Sequence, residues 1–578
     1  MTVGGVLAVA LFAFAGNAYA IDSSVLAGNA LKAVDRVVTL QNSNGTWDWV
    51  VTNATGPTSS AYYNLAGVTG LGLLDAYTQS KDSKYLDAAK KVGDYIVAFN
   101  SPSVSDAKAQ NADSVNFLRK LGTASGIASY TTTADAILRH VLSEPNYETT
   151  HDNNYCTANG CTPAQLYSAN SFYYGVANQG AAVWNLEPFV TATWNSGETA
   201  TSTAFEAEML NQISLYTPST QYYSLAVAAG ISAANTVGDT TGKATLLGLL
   251  TANSDGSFGT ETEGKIQTTA YALMALKSVG DSRADAAITY LSSQFGYPDH
   301  LVPTYNGWMD TGTTPADYAE YAEVDSEAAR ALFSVLPIDT HYATLPVDVT
   351  KTATVGDVTV TAEMPAGVVI TGNSSWDGVV SDPVATTKTV TISGFDTTVT
   401  SAIAVGSSDA DLTFDKAVKL TFAGQAGKLI GWYNHAGDFS EITAPCSGNN
   451  DEPSQTASLG AGASCKMDSA SYLVVWTKHF STFVTYTQTQ TPAPTSGRSG
   501  GHRSSNSATP AVRAVPGVSP AIPAVPAGRV LGAFTGPEGT NLDSPAIVAI
   551  KAQIAGLIAQ LISLLREQLA TAVAAGLR

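Results

Sequence analysis

At Pro346 the hydrophobic period of the chain changes, and that change divides it into an α part and a β part. Before Pro346, apolar residues recur at steps of three and four in 66–77, 84–97, 114–121, 132–142, 181–192, 224–237, 268–279, 283–295 and 326–335. This spacing predicts helices. Many of them carry Ala and other small residues on several faces, which suits helices packed between other helices. After Pro346 the period shortens to two. Segments 347–361, 387–392, 412–422 and 428–433 alternate apolar and polar residues, and 471–486 reads as two strands around Lys478-His479. Short two-faced strands separated by Gly, Asp, Asn and Pro turns predict an antiparallel β-sandwich. The expected fold is multidomain, α plus β, with a helical domain over 21–340 and a β-sandwich over 346–490.

The ends follow other rules. Residues 3–15 are apolar and uncharged, and Asn17-Ala-Tyr-Ala20 follows them. That pattern predicts a secretory signal peptide over 1–20 and a secreted or envelope-associated protein. Residues 491–543 are rich in Pro, Ser, Gly and Ala and read as a linker without a core. An amphipathic helix is expected over 544–578, begun by Ser544-Pro545, with a stripe of Ile547, Ile550, Ile554, Leu557, Leu561 and Leu564. Such a helix could pair with a second copy, lie on an envelope surface or dock on its own chain.

Charge restricts the partners. The 578 residues hold 48 acidic and 29 basic side chains, for a net charge of −19. This argues against nucleic acid, whose binders present basic surface to phosphate. The cysteines form two close pairs, Cys156/Cys161 and Cys446/Cys465. In an exported chain an even count predicts disulfides, with metal binding as the rival reading.

The helical part contains a weak repeat. Gln41-Asn-Ser-Asn-Gly-Thr-Trp47 matches Asn253-Ser-Asp-Gly-Ser-Phe258, each a polar Gly turn ending on an aromatic residue. A Thr-Ala-x-Ala-Leu-x-Ala-Leu helix, 269–276, follows the second copy. These motifs resemble the α/α toroids of the terpenoid cyclase and prenyltransferase superfamily. The stretch 66–97 is similar to a helix pair of the six-hairpin glycosidases and lyases. The β part resembles sandwich modules of bacterial surface proteins in the stretches 364–378 and 473–488.

The resemblance implies three chemistries. A cyclase needs an Asp-rich motif before the Thr-Ala helix, but Ile266-Gln-Thr-Thr-Ala270 stands there, so a cyclase reading would describe a degenerate toroid. A prenyltransferase needs zinc ligands, and no cysteine has a suitable helical setting with a nearby His. Glycan chemistry remains. It needs aromatic faces and a pair of carboxyl groups, one acid and one base or nucleophile. Segment 305–327 offers both, with Glu323, Asp325 and Glu327 as candidate acids and bases and Tyr305, Trp308, Tyr318 and Tyr321 as sugar contacts. Tyr173 and Trp184 form a second aromatic group. Asp325 is also placed to cap a helix over 326–335, and Trp47 to pack in the core. No motif for a metal or other cofactor is present. Two functions are expected in competition: a toroid that binds and cleaves a polysaccharide, as hydrolase or lyase, and a surface protein that binds an extracellular ligand without chemistry.

Overall fold

A computed structural model describes residues 21–53, 65–99, 112–143, 183–184, 186–260, 264–297, 306–310 and 318–491. The expected signal peptide, the linker and tail helix from 492 on, Cys156, Cys161, Tyr173 and Tyr305 lie outside the described residues.

Twelve described helices precede the β part. They are α1 (Ser23–Thr39), α2 (Leu65–Ser80), α3 (Ser83–Phe99), α4 (Ala112–Ser125), α5 (Ala128–Ser143), α6 (Glu187–Trp194), α7 (Thr199–Leu215), α8 (Tyr223–Val237), α9 (Thr240–Leu249), α10 (Lys265–Val279), α11 (Ala284–Gln294) and α12 (Ala322–Phe333). The even-numbered helices close a ring: α2 packs on α4, α4 on α6, α6 on α8, α8 on α10, α10 on α12 and α12 back on α2. The odd-numbered helices pack outside it, each against an even-numbered neighbour. This is an α/α toroid. Sequence separates the two layers. In α2 and α8 apolar and small residues are buried on every side, whereas α3 buries one stripe, Tyr85, Ala88, Ala89, Val92 and Ile96.

Loop lengths orient the ring. Only two residues join α2 to α3, α4 to α5 and α8 to α9, which makes each pair an antiparallel hairpin. The connections back from the outer to the inner layer are longer, such as 40–64, 250–264 and 295–321. The starts of the inner helices therefore define one rim of the ring, which the longer connections lead into.

The sequence repeat is a repeat of structure. Asn42 N–H donates to the Thr46 carbonyl and Asn253 N–H to the Ser257 carbonyl, both at 2.8 Å. Gly45 (φ +91°) and Gly256 (φ +86°) occupy the left-handed position of each turn. A Cβ on Gly45 would lie 2.4 Å from the Lys91 carbonyl oxygen of α3, and one on Gly256 would lie 2.8 Å from the Ala286 carbonyl oxygen of α11. Both turns thus seat on an outer helix. Trp47 and Phe258 are fully buried beyond them, and the Trp47 indole N–H donates to the Val37 carbonyl at 2.8 Å.

Three helices escape the sequence reading: α1, which follows the expected leader, and α7 and α9, whose mixed Thr, Glu and Gly faces blur the period. Helix α12 also begins at Ala322, four residues before the expected start, so Asp325 lies in its first turn and is not its cap.

The β part forms two antiparallel sheets. One runs β11 (Phe439–Glu441), β10 (Leu429–Tyr433), β14 (Thr482–Gln490), β8 (Phe395–Gly406), β7 (Ser381–Ala385). The other runs β12 (Ser464–Ser469), β13 (Tyr472–Phe480), β9 (Leu412–Ala423), β5 (Val358–Met364), β4 (Val349–Val355), with β6 (Val369–Asn373) pairing β9 and β3 (Thr340–Thr344). Ile403 and Phe483 from the first sheet share one buried cluster with Val360, Leu420 and Val475 from the second, a sandwich-like arrangement. Two expectations are corrected. Residues 387–392 are not a strand, and Lys478-His479 lies inside β13, with a bulge at Thr477/His479; the chain passes to the other sheet at Ser481. Cys446 and Cys465 form a disulfide. Helices α1 and α2 carry the β part, α1 packing on β3 and β6 and α2 on β3. Among the described residues no helix is long and apolar enough to cross a membrane.

Candidate active site at one rim of the ring

Helix α12 starts from Tyr321, whose extended backbone follows the two-residue strand β2 (Ala319–Glu320). β2 pairs with β1 (Thr52–Asn53), and Asp310 bridges to Ala319. This small ladder fixes where α12 begins. Residues four apart on a helix share a side, and residues two apart do not. The three acids divide accordingly. Glu323 and Glu327 meet groups of the other inner helices, while Asp325 turns towards α1 and the 306–310 segment.

Asp325 is fully buried and accepts the Trp308 backbone N–H at 2.7 Å. Burial and the neighbouring Glu320 push its carboxyl well above the usual carboxylate range. Glu320, also fully buried, is gripped by Arg36 of α1. Asp325, expected as an acid–base candidate, therefore anchors a loop. Trp308 is corrected in the same way. It is fully buried, its indole N–H donates to the Leu291 carbonyl at 2.8 Å, and Phe295 packs edge-on to its ring. Core packing leaves it no open face for a sugar.

Glu327 is fully buried between α12 and α10. Gln267 Nε2 and Tyr271 O–H each donate to one of its carboxylate oxygens at 2.9 Å. Burial and the charge of Glu323 raise its pKa, while these two donors act in the opposite sense. Glu323 is partly exposed. Burial, with Asp113 beside it, pushes its carboxyl up to about 8.

Asp113 and Glu187 belong to the same cluster and were not singled out in the sequence. Each lies in the first turn of an inner helix, α4 and α6, and each is partly exposed. Asp113 is pushed up to about 7 by burial, against the pull of Arg330 and with the push of Glu187. Glu187 is raised by burial and eased by the Thr191 hydroxyl, 2.7 Å away, and by Arg330. Burial works against the Arg330 guanidinium, but Asp75, 3.3 Å away, Asp113 and Glu327 keep it charged. The signal for Asp113 and Glu187 was present: an acid in the first turn after a long loop, as at Glu323. Read alone, such an acid is a partner of the helix dipole. Only ring closure turns these first turns towards one another.

Aromatic residues stand at the same helix starts. Tyr321 meets Trp49 edge-on with ring centroids 5.8 Å apart, and Trp184 meets Tyr222 edge-on at 5.3 Å. All four rings are partly exposed, as is Tyr318. Among the described residues no group of three or more His, Cys, Asp or Glu is placed to hold a metal ion.

No family model and no curated protein matches the chain. Solved structures similar to it include an inactive variant of an α-1,6-mannanase of Salegentibacter sp. in complex with α-1,6-mannotriose, at 11% identity and a TM-score of 0.37, covering 54% of this chain and 98% of that one. An unsaturated glucuronyl hydrolase specific for heparin follows at 10% identity and a TM-score of 0.38, covering 54% of this chain and 96% of that one. A wild-type glycosidase has 11% identity and a TM-score of 0.33, with 54% and 96% covered. All three are distant, and what the rim of this ring does is read from its own side chains.

Proposed function

We propose that the rim hydrolyses a glycosidic bond of a polysaccharide, with Glu323 as general acid and Asp113 as general base. One observation carries this. Two partly exposed carboxyl groups come from different inner helices, Asp113 close enough to raise Glu323, and both are pushed towards neutral pH, Asp113 to about 7 by burial and Glu187, and Glu323 to about 8 by burial and Asp113. An acid that holds its proton at neutral pH beside a base that has begun to lose its own is the division of labour hydrolysis needs. Arg330 favours the ionised form of Asp113, which supports the assignment of base. Glu327, one turn along α12 from Glu323, is held in place by Gln267 and Tyr271. Export to the envelope, with the 544–578 helix as attachment or self-association element, belongs to the same proposal.

The test is incubation of the full chain with α-mannan, β-1,3/1,4-glucan, chitosan, polygalacturonate and hyaluronan, reading reducing ends and unsaturated-uronate absorbance. New reducing ends without absorbance are expected, and Glu323→Gln should lower the rate roughly 100-fold or more. Absorbance would replace hydrolysis by elimination. Binding in affinity electrophoresis without cleavage would make the ring a recognition module.

A further inference from the structure

The aromatic pairs set the direction in which a glycan crosses the ring. In the closed order α2, α4, α6, α8, α10, α12, helices α6 and α12 stand three places apart and face each other across the centre. Tyr321 caps α12 and lies two residues before Glu323, and Trp49 covers it from the loop after α1. On the far side Trp184 lies three residues before Glu187, against Tyr222 at the start of α8. Each pair combines a ring face suited to the apolar face of a sugar with a polar edge, and each remains partly exposed. Asp113 sits between the two sides, raised by Glu187 and in turn raising Glu323.

We infer that the substrate is bound on both sides of the acids, so that the ring cleaves inside a polysaccharide chain and not from its end. This rests on the glycosidase reading and adds the mode of cleavage. An enzyme that trims ends closes one side of the acids, whereas among the described residues both sides offer an aromatic platform. The reaction is hydrolysis: water adds to the anomeric carbon as the bond to the leaving oxygen breaks. Glu323 gives its proton to that oxygen and Asp113 takes one from the water, so one new reducing end and one new non-reducing end appear per event.

The experiment follows the same five polysaccharides by viscometry and by size of product. The expected result is a collapse of viscosity while reducing ends are still few, with a ladder of oligosaccharides as first products. Trp49→Ala and Trp184→Ala should each raise KM for the polymer about tenfold while leaving kcat nearly unchanged, as loss of one aromatic contact implies. Trp49→Phe and Trp184→Phe, which keep an apolar ring, should restore most of it. Release of a single small sugar from the outset with slow loss of viscosity would overturn the inference and leave the glycosidase reading standing. So would an unchanged KM in a folded Trp184→Ala variant. Absence of any cleavage would remove both.

Discussion

Arg36 and Glu320 lie 284 residues apart and meet in a two-pronged ion pair, Nε to Oε1 at 2.8 Å and Nη2 to Oε2 at 2.9 Å. The pair ties the first outer helix to the strand from which the last inner helix starts. Glu320 is fully buried, and Asp325 and Tyr297 crowd it. Removing the guanidinium alone leaves a buried carboxylate without its counter-ion. Arg36→Ala should therefore cost about 3–5 kcal/mol, whereas Arg36→Met combined with Glu320→Leu should cost much less, because no charge is left stranded. Urea unfolding of the two variants checks this. Equal losses would show that the arginine acts through packing.

The two Gly turns give a paired expectation. Gly45→Ala and Gly256→Ala force an L residue into the left-handed region and drive its Cβ onto the backbone of α3 or α11. Each should cost about 2 kcal/mol or more, and similar amounts, because the turns are equivalent. Gly126→Ala, also at positive φ (+71°) but with open space around its Cβ, should cost less. Thermal melts of the three variants decide it. A loss at Gly126 equal to that at Gly45 would mean that conformation alone sets the cost.

These turns also mark how far the sequence could be read. A repeat that pairs a Gly turn with a buried aromatic is local, so Gln41–Trp47 and Asn253–Phe258 were legible, as was the change of period at Pro346. Partners distant in sequence were not. Nothing near Asp325 says that it will bind Trp308 N–H, and nothing near Trp308 says that its indole will be spent on Leu291. The site was half visible for the same reason. Glu323 and Glu327 stood out in a run of acids and tyrosines, while Asp113 and Glu187 were single acids that only the closed ring unites.

Two buried groups tilt stability in opposite directions with pH. His479 is buried between Trp432 and Phe483 and its pKa is lowered to about 4 by burial. Below about 6.5 the unfolded chain takes up a proton that folded His479 refuses, so stability drops as pH falls towards 4. Glu206 behaves oppositely. Burial and Asp239 raise it to about 7, so the folded state keeps a proton that the unfolded chain loses above its ordinary carboxyl value. Its stabilising contribution is therefore present in acid and lost as pH rises through 7. Between about 4.5 and 6.5 the two slopes oppose each other, so the melting temperature should change little there. His479→Gln should leave a melting temperature that falls as pH rises towards 7, and Glu206→Gln one that falls as pH drops towards 4. Curves unchanged by both substitutions would place the titration elsewhere.

The disulfide should matter locally. Cys446 and Cys465 are 19 residues apart, and Cys465 packs with Ala417, Val474 and Trp476 on the outer side of β13. Opening a loop of this length should cost about 3 kcal/mol. Cys446→Ser with Cys465→Ser should lower the melting temperature while leaving reducing-end release at the ring intact. Loss of both together would tie the β part to the site more closely than its packing on α1 and α2 accounts for.

The rim acids give the sharpest expectation, because their order of titration fixes the shape of a pH profile. If Asp113 is the base, kcat/KM rises as it loses its proton, through about 7; if Glu323 is the acid, kcat/KM falls as it loses its own, through about 8. The profile should be a narrow bell between these limbs, belonging to the coupled pair. Arg330→Met removes the charge that holds Asp113 down, so the alkaline-going limb of the base should move to higher pH and shrink the bell. A rising limb that stays in place in a folded Arg330→Met variant would separate the chemistry from this cluster.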